Sequence, residues 1–190
     1  MERPQFTGAV LAGGQSRRMG IDKAFLEVGD RWLIAYALDA LAGASQRLIA
    51  GGADARLEEA AAAADAVHVP DLWPGEGPLG AVASVLKEAQ YPIAVILPCD
   101  IPGIGPDDVA ALVQAISLRS PDDTPSAAVF IDQRRHYLPM AIESRAAALA
   151  ERLFDSGRRA MASLLDEVDV VDVPAPPSAV ADIDSPEDLG

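Results

Sequence analysis

The residues 13–23, Gly13-Gly14-Gln15-Ser16-Arg17-Arg18-Met19-Gly20-Ile21-Asp22-Lys23, combine paired glycines with three cations directly after an apolar run, Phe6 to Leu11, and Ala12. Glycines lack a Cβ, so the backbone can turn sharply there and aim successive N–H groups into one concavity, an arrangement that binds phosphate oxygens. Arg17, Arg18 and Lys23 would supply the counter-charge. The whole chain has only two lysines, Lys23 and Lys87, which makes this concentration of positive charge conspicuous in an acidic protein. The plain alternative is a solvated loop whose arginines pair with nearby acids. Two familiar phosphate motifs are absent: no Gly-Lys pair exists to complete GxxxxGK[ST], and glycines at 13, 14 and 20 do not make GxGxxG.

Such a loop needs a sheet to hold it. Short apolar runs recur at Phe6 to Leu11, Arg47 to Ala50, Val67 to Val69, Ile93 to Leu97, Ala127 to Ile131 and Val168 to Val173, and each reads as a buried strand. Helical spacing links them: Leu33, Tyr36, Ala37 and Leu41; Leu79, Val82, Val85 and Leu86; Val109, Leu112, Val113 and Ile116. The alanine-rich stretch Asp54 to Asp65 is a further helix by propensity. Pro106-Asp107-Asp108 suits a helix start, where the fixed φ and the positive dipole end both fit. This alternation predicts an α/β fold with a mainly parallel sheet in three layers, one domain over 1–190. Arg135 to Ile142 adds an antiparallel strand, placed at the sheet edge. In an open sheet of this kind ligands lie beyond the carboxyl ends of the strands, where the 13–23 loop falls.

With 190 residues, half of them hydrophobic, the chain can bury a sizeable core. There are 15 basic and 29 acidic residues, a net charge of −14, which argues against nucleic acid and anionic membranes as partners. Cys99 is the one cysteine, so no intramolecular disulfide forms, and the two histidines, His68 and His136, are too few for a zinc site. No Cys/His constellation supports Cys99 as a nucleophile, and it reads as a small buried residue. Trp32 and Trp73 read as core packing or loop anchors. No apolar run approaches the roughly 18 residues of a membrane span. The expectation is a soluble, untargeted, cytoplasmic protein.

The segment LAGGQSRRMGIDKA resembles the signature of the molybdenum cofactor guanylyltransferases, a branch of the nucleotidyltransferases. The likeness continues at Pro70-Asp71, Gly75-Glu76-Gly77-Pro78-Leu79-Gly80, Leu97-Pro98-Cys99-Asp100-Ile101-Pro102, Gly157-Arg158-Arg159 and the final Asp182-Ile183-Asp184-Ser185-Pro186-Glu187-Asp188-Leu189, so it covers nearly the whole chain. What the resemblance implies is a Rossmann-like, nucleotide-binding nucleotidyltransferase domain and the transfer of GMP from GTP to the terminal phosphate of molybdopterin, with release of pyrophosphate and a requirement for Mg²⁺. Leu11, Ala12, Gly13 and Gly14 would form the nucleotide's loop, Lys23 would contact its phosphates, Asp71 would contact the nucleotide, and Asp100 would hold the metal. Asp100 follows the run Ile93 to Leu97, and one or two carboxylates with substrate phosphates are the usual ligands of Mg²⁺. Arg17, Lys23 and Asp100 would be the catalytic set, the cations acting on transition-state charge. Helix capping is the alternative for Asp100, and a turn acid for Asp71. Partner proteins, a recipient molybdoenzyme or others of the cofactor pathway, are implied by the family alone.

Two departures bear on substrates. Where many relatives carry asparagines in NxNTPEDL, this chain has Asp182 and Asp184, which accept hydrogen bonds but, when ionised, cannot donate them; both are matched to molybdopterin contact. Ala50-Gly51-Gly52-Ala53 stands where some relatives have an asparagine near the nucleotide. The alternative readings are a related transferase using CTP or a sugar-phosphate acceptor, and a non-catalytic GTP- or cofactor-binding protein.

Overall fold

The computed structural model describes residues 4–12, 23–73, 75–119 and 123–182. In chain order its strands are β1 (Thr7–Leu11), β2 (Glu27–Val28), β3 (Arg31–Trp32), β4 (Gln46–Gly51), β5 (Val67–Pro70), β6 (Ile93–Pro98), β7 (Ser126–Ile131), β8 (Arg135–Glu143) and β9 (Asp169–Pro174). The helices are α1 (Leu33–Ala40), α2 (Ala55–Ala63), α3 (Pro78–Glu88), α4 (Pro106–Ser117), α5 (Ala147–Asp155) and α6 (Met161–Leu165). Strands β2 and β3 form a small hairpin, and the other seven make one sheet in the order β5-β4-β1-β6-β8-β7-β9. Every pairing around β1 is parallel, β8 is antiparallel to both neighbours, and β9 is parallel to β7. Six strands therefore point one way and β8 alone is reversed.

Side chains of a strand alternate between faces, and the two cores follow that alternation. Val10 and Ala12 lie in a cluster with α1, α2 and α4; Ala9 and Leu11 lie in a second cluster with α3, α5 and α6. The result is the expected three layers. Leu33, Leu48, Leu79, Ile96 and Leu112 are fully buried, and truncating any of them to alanine would cost about 2–5 kcal/mol.

The expected strands all form, but one sits elsewhere. β8 is interior, between β6 and β7, not at an edge. Its residues Pro139, Met140, Ala141 and Ile142 are buried, with Met140 and Ile142 in one core and Ala141 in the other. With both faces covered, backbone N–H and C=O groups left unpaired along an edge would be buried without partners, and pairing with β6 and β7 satisfies them. Helix starts follow local chemistry: Asp54 caps α2 by accepting from the Arg56 N–H at 2.9 Å, and Asp108 accepts from Gly105 N–H at 2.8 Å, with Pro106 opening α4. No helix among the described residues is long and apolar enough to cross a membrane.

Candidate functional site

β1 lies between β4 and β6. The chain leaves β1 to build β4 and β5 on one side, then crosses through α3 to place β6 on the other. Strand order reverses at β1 and β6, and in open α/β sheets the crevice beyond the carboxyl ends at such a reversal receives the ligand. Leu11 and Pro98 are register partners at that end, so Ala12 and Asp100 emerge side by side.

Lys23 reaches the same crevice. It opens a short 3-10 turn, Lys23–Phe25, whose Ala24 and Phe25 are buried. Phe25 meets Trp32 of β3 edge-on at 5.2 Å, and the Arg56 guanidinium lies 4.3 Å from its ring centre. The same Arg56 pairs with Asp54 at 2.7 Å, and its hydrogen bonds hold the Asp54 carboxyl below the usual range. Lys23 is thus fixed by α2 and the small hairpin. Its Nζ lies 3.2 Å from Asp100 Oδ2, with the two side chains 17% and 23% exposed. These residues are 77 positions apart in sequence, and the fold brings them into contact at the crevice.

The other expected site residues divide. Leu11 and Ala12 are at the crevice, both buried; Ala12 N–H donates to Ala50 C=O at 2.7 Å, so it is spent on extending the sheet. Asp71 follows β5, two strands from β1, about 10 Å across the sheet. Its N–H donates to Gly51 C=O at 2.8 Å, and its Oδ1 accepts from Trp73 N–H at 2.9 Å, which closes a local turn. Asp182 is exposed. Gly13, Gly14, Arg17 and Asp184, with Arg18, lie outside the described residues.

A Cβ on Gly51 would come within 2.6 Å of Leu57 Cδ1 and 3.4 Å of the Ala12 carbonyl, whereas Gly52 has open space around it. Backbone therefore lines this part of the crevice, and His68 Nε2 sits 3.1 Å from Gly52 O. His68 is a residue of β5, as expected.

The segment before α3 is braced by contacts that join the quoted motifs to each other and to Phe154, which no motif contains. Gly75 and Gly77 have φ of 79° and 101°, values that favour glycine. Trp73 packs on Phe154 of α5 at 4.4 Å, and a Cβ on Gly80 would come within 3.2 Å of both rings' residues. Arg159 lies 4.8 Å from the Phe154 ring centre and pairs with Glu76. Arg158 pairs with Glu167 at 2.7 Å. Trp73 is thus a loop anchor. Glu76 and Arg159 sit in quoted motifs, but nothing in either motif pairs them; only the packing of α5 on α3 does.

For Mg²⁺, the donor chemistry fits at Asp100: among the described residues its carboxylate has Lys23 as its partner through Oδ2 alone, leaving oxygen capacity for a hard cation. No cluster of three His, Cys, Asp or Glu occurs among the described residues, so the substrate's phosphates would complete the shell. Cys99 is buried.

A family model described as "MobA-like NTP transferase domain" matches residues 8–171. A probable molybdenum cofactor guanylyltransferase of Pelotomaculum thermopropionicum is 38% identical over 103 residues, 54% of this chain and 49% of that protein. That match spans about half the relative's length. Another, from Mycobacterium avium, is 30% identical over 192 residues, covering 97% of this chain and 93% of the relative. Among solved structures, the molybdopterin-guanine dinucleotide biosynthesis protein A of Archaeoglobus fulgidus superposes with a TM-score of 0.79 at 21% identity, over 96% of this chain and 94% of that one. At that identity the likeness is one of fold.

Proposed function

We propose, from the premise that this chain belongs to the family of MobA-like NTP transferase domains, that it transfers GMP from GTP to molybdopterin and releases pyrophosphate. The observation that carries this reading is the Lys23–Asp100 pair at the reversal crevice, in a chain whose relatives are named molybdenum cofactor guanylyltransferases. In the reaction a terminal phosphate oxygen of the acceptor attacks the α-phosphorus of GTP. The bond to the β-phosphate oxygen breaks, and its electron pair leaves with pyrophosphate.

The chain's residues supply position and charge. Leu11, Ala12, Gly13 and Gly14 lay the triphosphate along the crevice, with Ala12 contributing contact or its carbonyl, because its N–H is engaged. Lys23 and Arg17 offset charge on the phosphates as the α–β bond breaks. Asp100 would hold Mg²⁺, which would supply neutralisation of phosphate charge when bound. Asp71, anchored to Gly51 and to its own turn, borders the nucleoside side. Asp182 and Asp184 belong to the acceptor's side, where they would accept from pterin N–H groups.

The deciding experiment supplies purified protein with molybdenum-loaded molybdopterin, Mg²⁺ and, separately, GTP, CTP and ATP, and identifies the pterin product by mass spectrometry. A dinucleotide with GTP alone is the expected result. Product with CTP alone reassigns the base, and no product with any nucleotide overturns the transferase reading.

A further inference from the structure

The turn that carries Asp100 onward is Ile101-Pro102-Gly103-Ile104, closed by Ile104 N–H donating to Ile101 C=O at 3.4 Å. Ile101 and Ile104 are 4% and 5% exposed, and both belong to the α4-side core. The same core contains Ala179, which is 0% exposed and lies in a short 3-10 turn, Pro177–Ala179, beyond β9. This segment is tied at its start by Ala175 N–H donating to Ile131 C=O at 2.9 Å, and Ala175 and Val180 pack against the core. Residues 175–180 thus form a strap over the carboxyl end of the sheet.

Gly103 lies directly against Ser178 of the strap. A Cβ there would stand 2.6 Å from the Ser178 carbonyl oxygen and 3.1 Å from Ser178 Cβ. Gly103 is not among the glycines with positive φ, so its own backbone would accept alanine. The requirement for glycine comes from the strap alone, and the nearest obstacle is main chain, which cannot rotate away. Pushing the strap out would draw Ala179 from the core it shares with Ile101 and Ile104.

We propose that Gly103 is a positioning residue that sets the register between the Asp100 turn and the strap leading to Asp182, so that the two sides of the site keep a fixed separation. This rests on the guanylyl-transfer reading only in naming molybdopterin as the acceptor whose use depends on that separation. Asp100, before the turn, keeps its Lys23 contact in either register, and Asp182, after the strap, moves with it.

The test compares Gly103→Ala with Gly43→Ala, a position with nothing within 4 Å of the added Cβ. Three quantities are read in the full chain: amide hydrogen exchange of 175–182, the Kd for GTP with Mg²⁺, and KM and kcat for molybdopterin. In Gly103→Ala, exchange in 175–182 rises about tenfold, the Kd for GTP stays within about twofold, and KM for molybdopterin rises about tenfold with a smaller change in kcat. Adding Ser178→Gly removes only the 3.1 Å contact and leaves the carbonyl oxygen at 2.6 Å, so it restores little of either loss; full rescue would show that the side chain and not the main chain sets the requirement and would overturn the argument. Unchanged exchange and KM overturn the proposal, as does loss of GTP affinity in step with KM, which would mark a general lesion. If the wild type forms no dinucleotide, guanylyl transfer fails as the function, while exchange and GTP binding still decide whether Gly103 sets the register.

Discussion

Removing either member of the Lys23–Asp100 pair tests whether the two act as one unit. At 3.2 Å, opposite unit charges attract by about 1 kcal/mol in water and about 5 kcal/mol at the effective dielectric typical of protein sites. Both side chains are mostly but not fully buried, and desolvation opposes the attraction, which leaves an expected net coupling of about 1–3 kcal/mol. A double-mutant cycle with Lys23→Met and Asp100→Asn, followed by urea unfolding, measures that coupling directly. In the proposed transfer from GTP to molybdopterin each single variant is expected to lose about 100- to 1,000-fold in kcat/KM. Groups that serve one transition state are not additive, so the double variant falls little below the worse single one. Stability coupling under about 0.3 kcal/mol, together with losses in turnover that simply multiply, would refute the argument that the fold built this pair as a joint device.

Phe154 is 2% exposed, with Trp73 on one side and Arg159 near its ring; Phe154→Ala should lower unfolding free energy by about 3–5 kcal/mol, and a denaturant midpoint unchanged from wild type would contradict the packing described. Asp172 pairs with Arg135 at 2.7 Å, and the guanidinium's hydrogen bonds hold its carboxyl below the usual range. A lowered native pKa stabilises fully above the unfolded carboxylate value near about 3.9 and is lost as pH falls through the native value. Asp172→Asn should therefore cost up to about 1 kcal/mol at neutral pH, the pair being exposed, and nothing at the acid end; pH-resolved thermal melts showing an equal deficit at both ends would refute the linkage.

The parallel framework was legible because buried strands such as Ile93–Pro98 are continuous apolar runs and the intervening helices keep one apolar face. Position within the sheet was less so. Arg135–Glu143 begins with the polar residues Arg135 and His136, as an edge strand would, yet its second half is buried on both faces, and one-dimensional patterning does not reveal what lies beside a strand. α5 and α6 were passed over although Leu149, Leu153 and Phe154 form an apolar stripe at helical spacing; the surrounding alanines and arginines dilute it, and contact with α3 fixes where the two helices lie. At the candidate site, Lys23 was singled out from its glycine-rich context and Asp100 from its place after a strand, whereas their contact follows from the sheet order. The Glu76–Arg159 and Gly103–Ser178 contacts had no sequence signal, since each joins loops by geometry alone.

The lone reversal of β8 also settles how the molecule can be handled. Two changes of direction, into β8 and out of it, cancel, so β9 ends at the same rim of the sheet as β1 and β6. Residues 4–6 enter at the opposite rim, about 17 Å away along the five residues of β1. A surface attachment made near Pro4 presents the crevice outward, whereas one made near Asp182 turns it toward the support, so the two orientations should differ in substrate access although the polypeptide is identical.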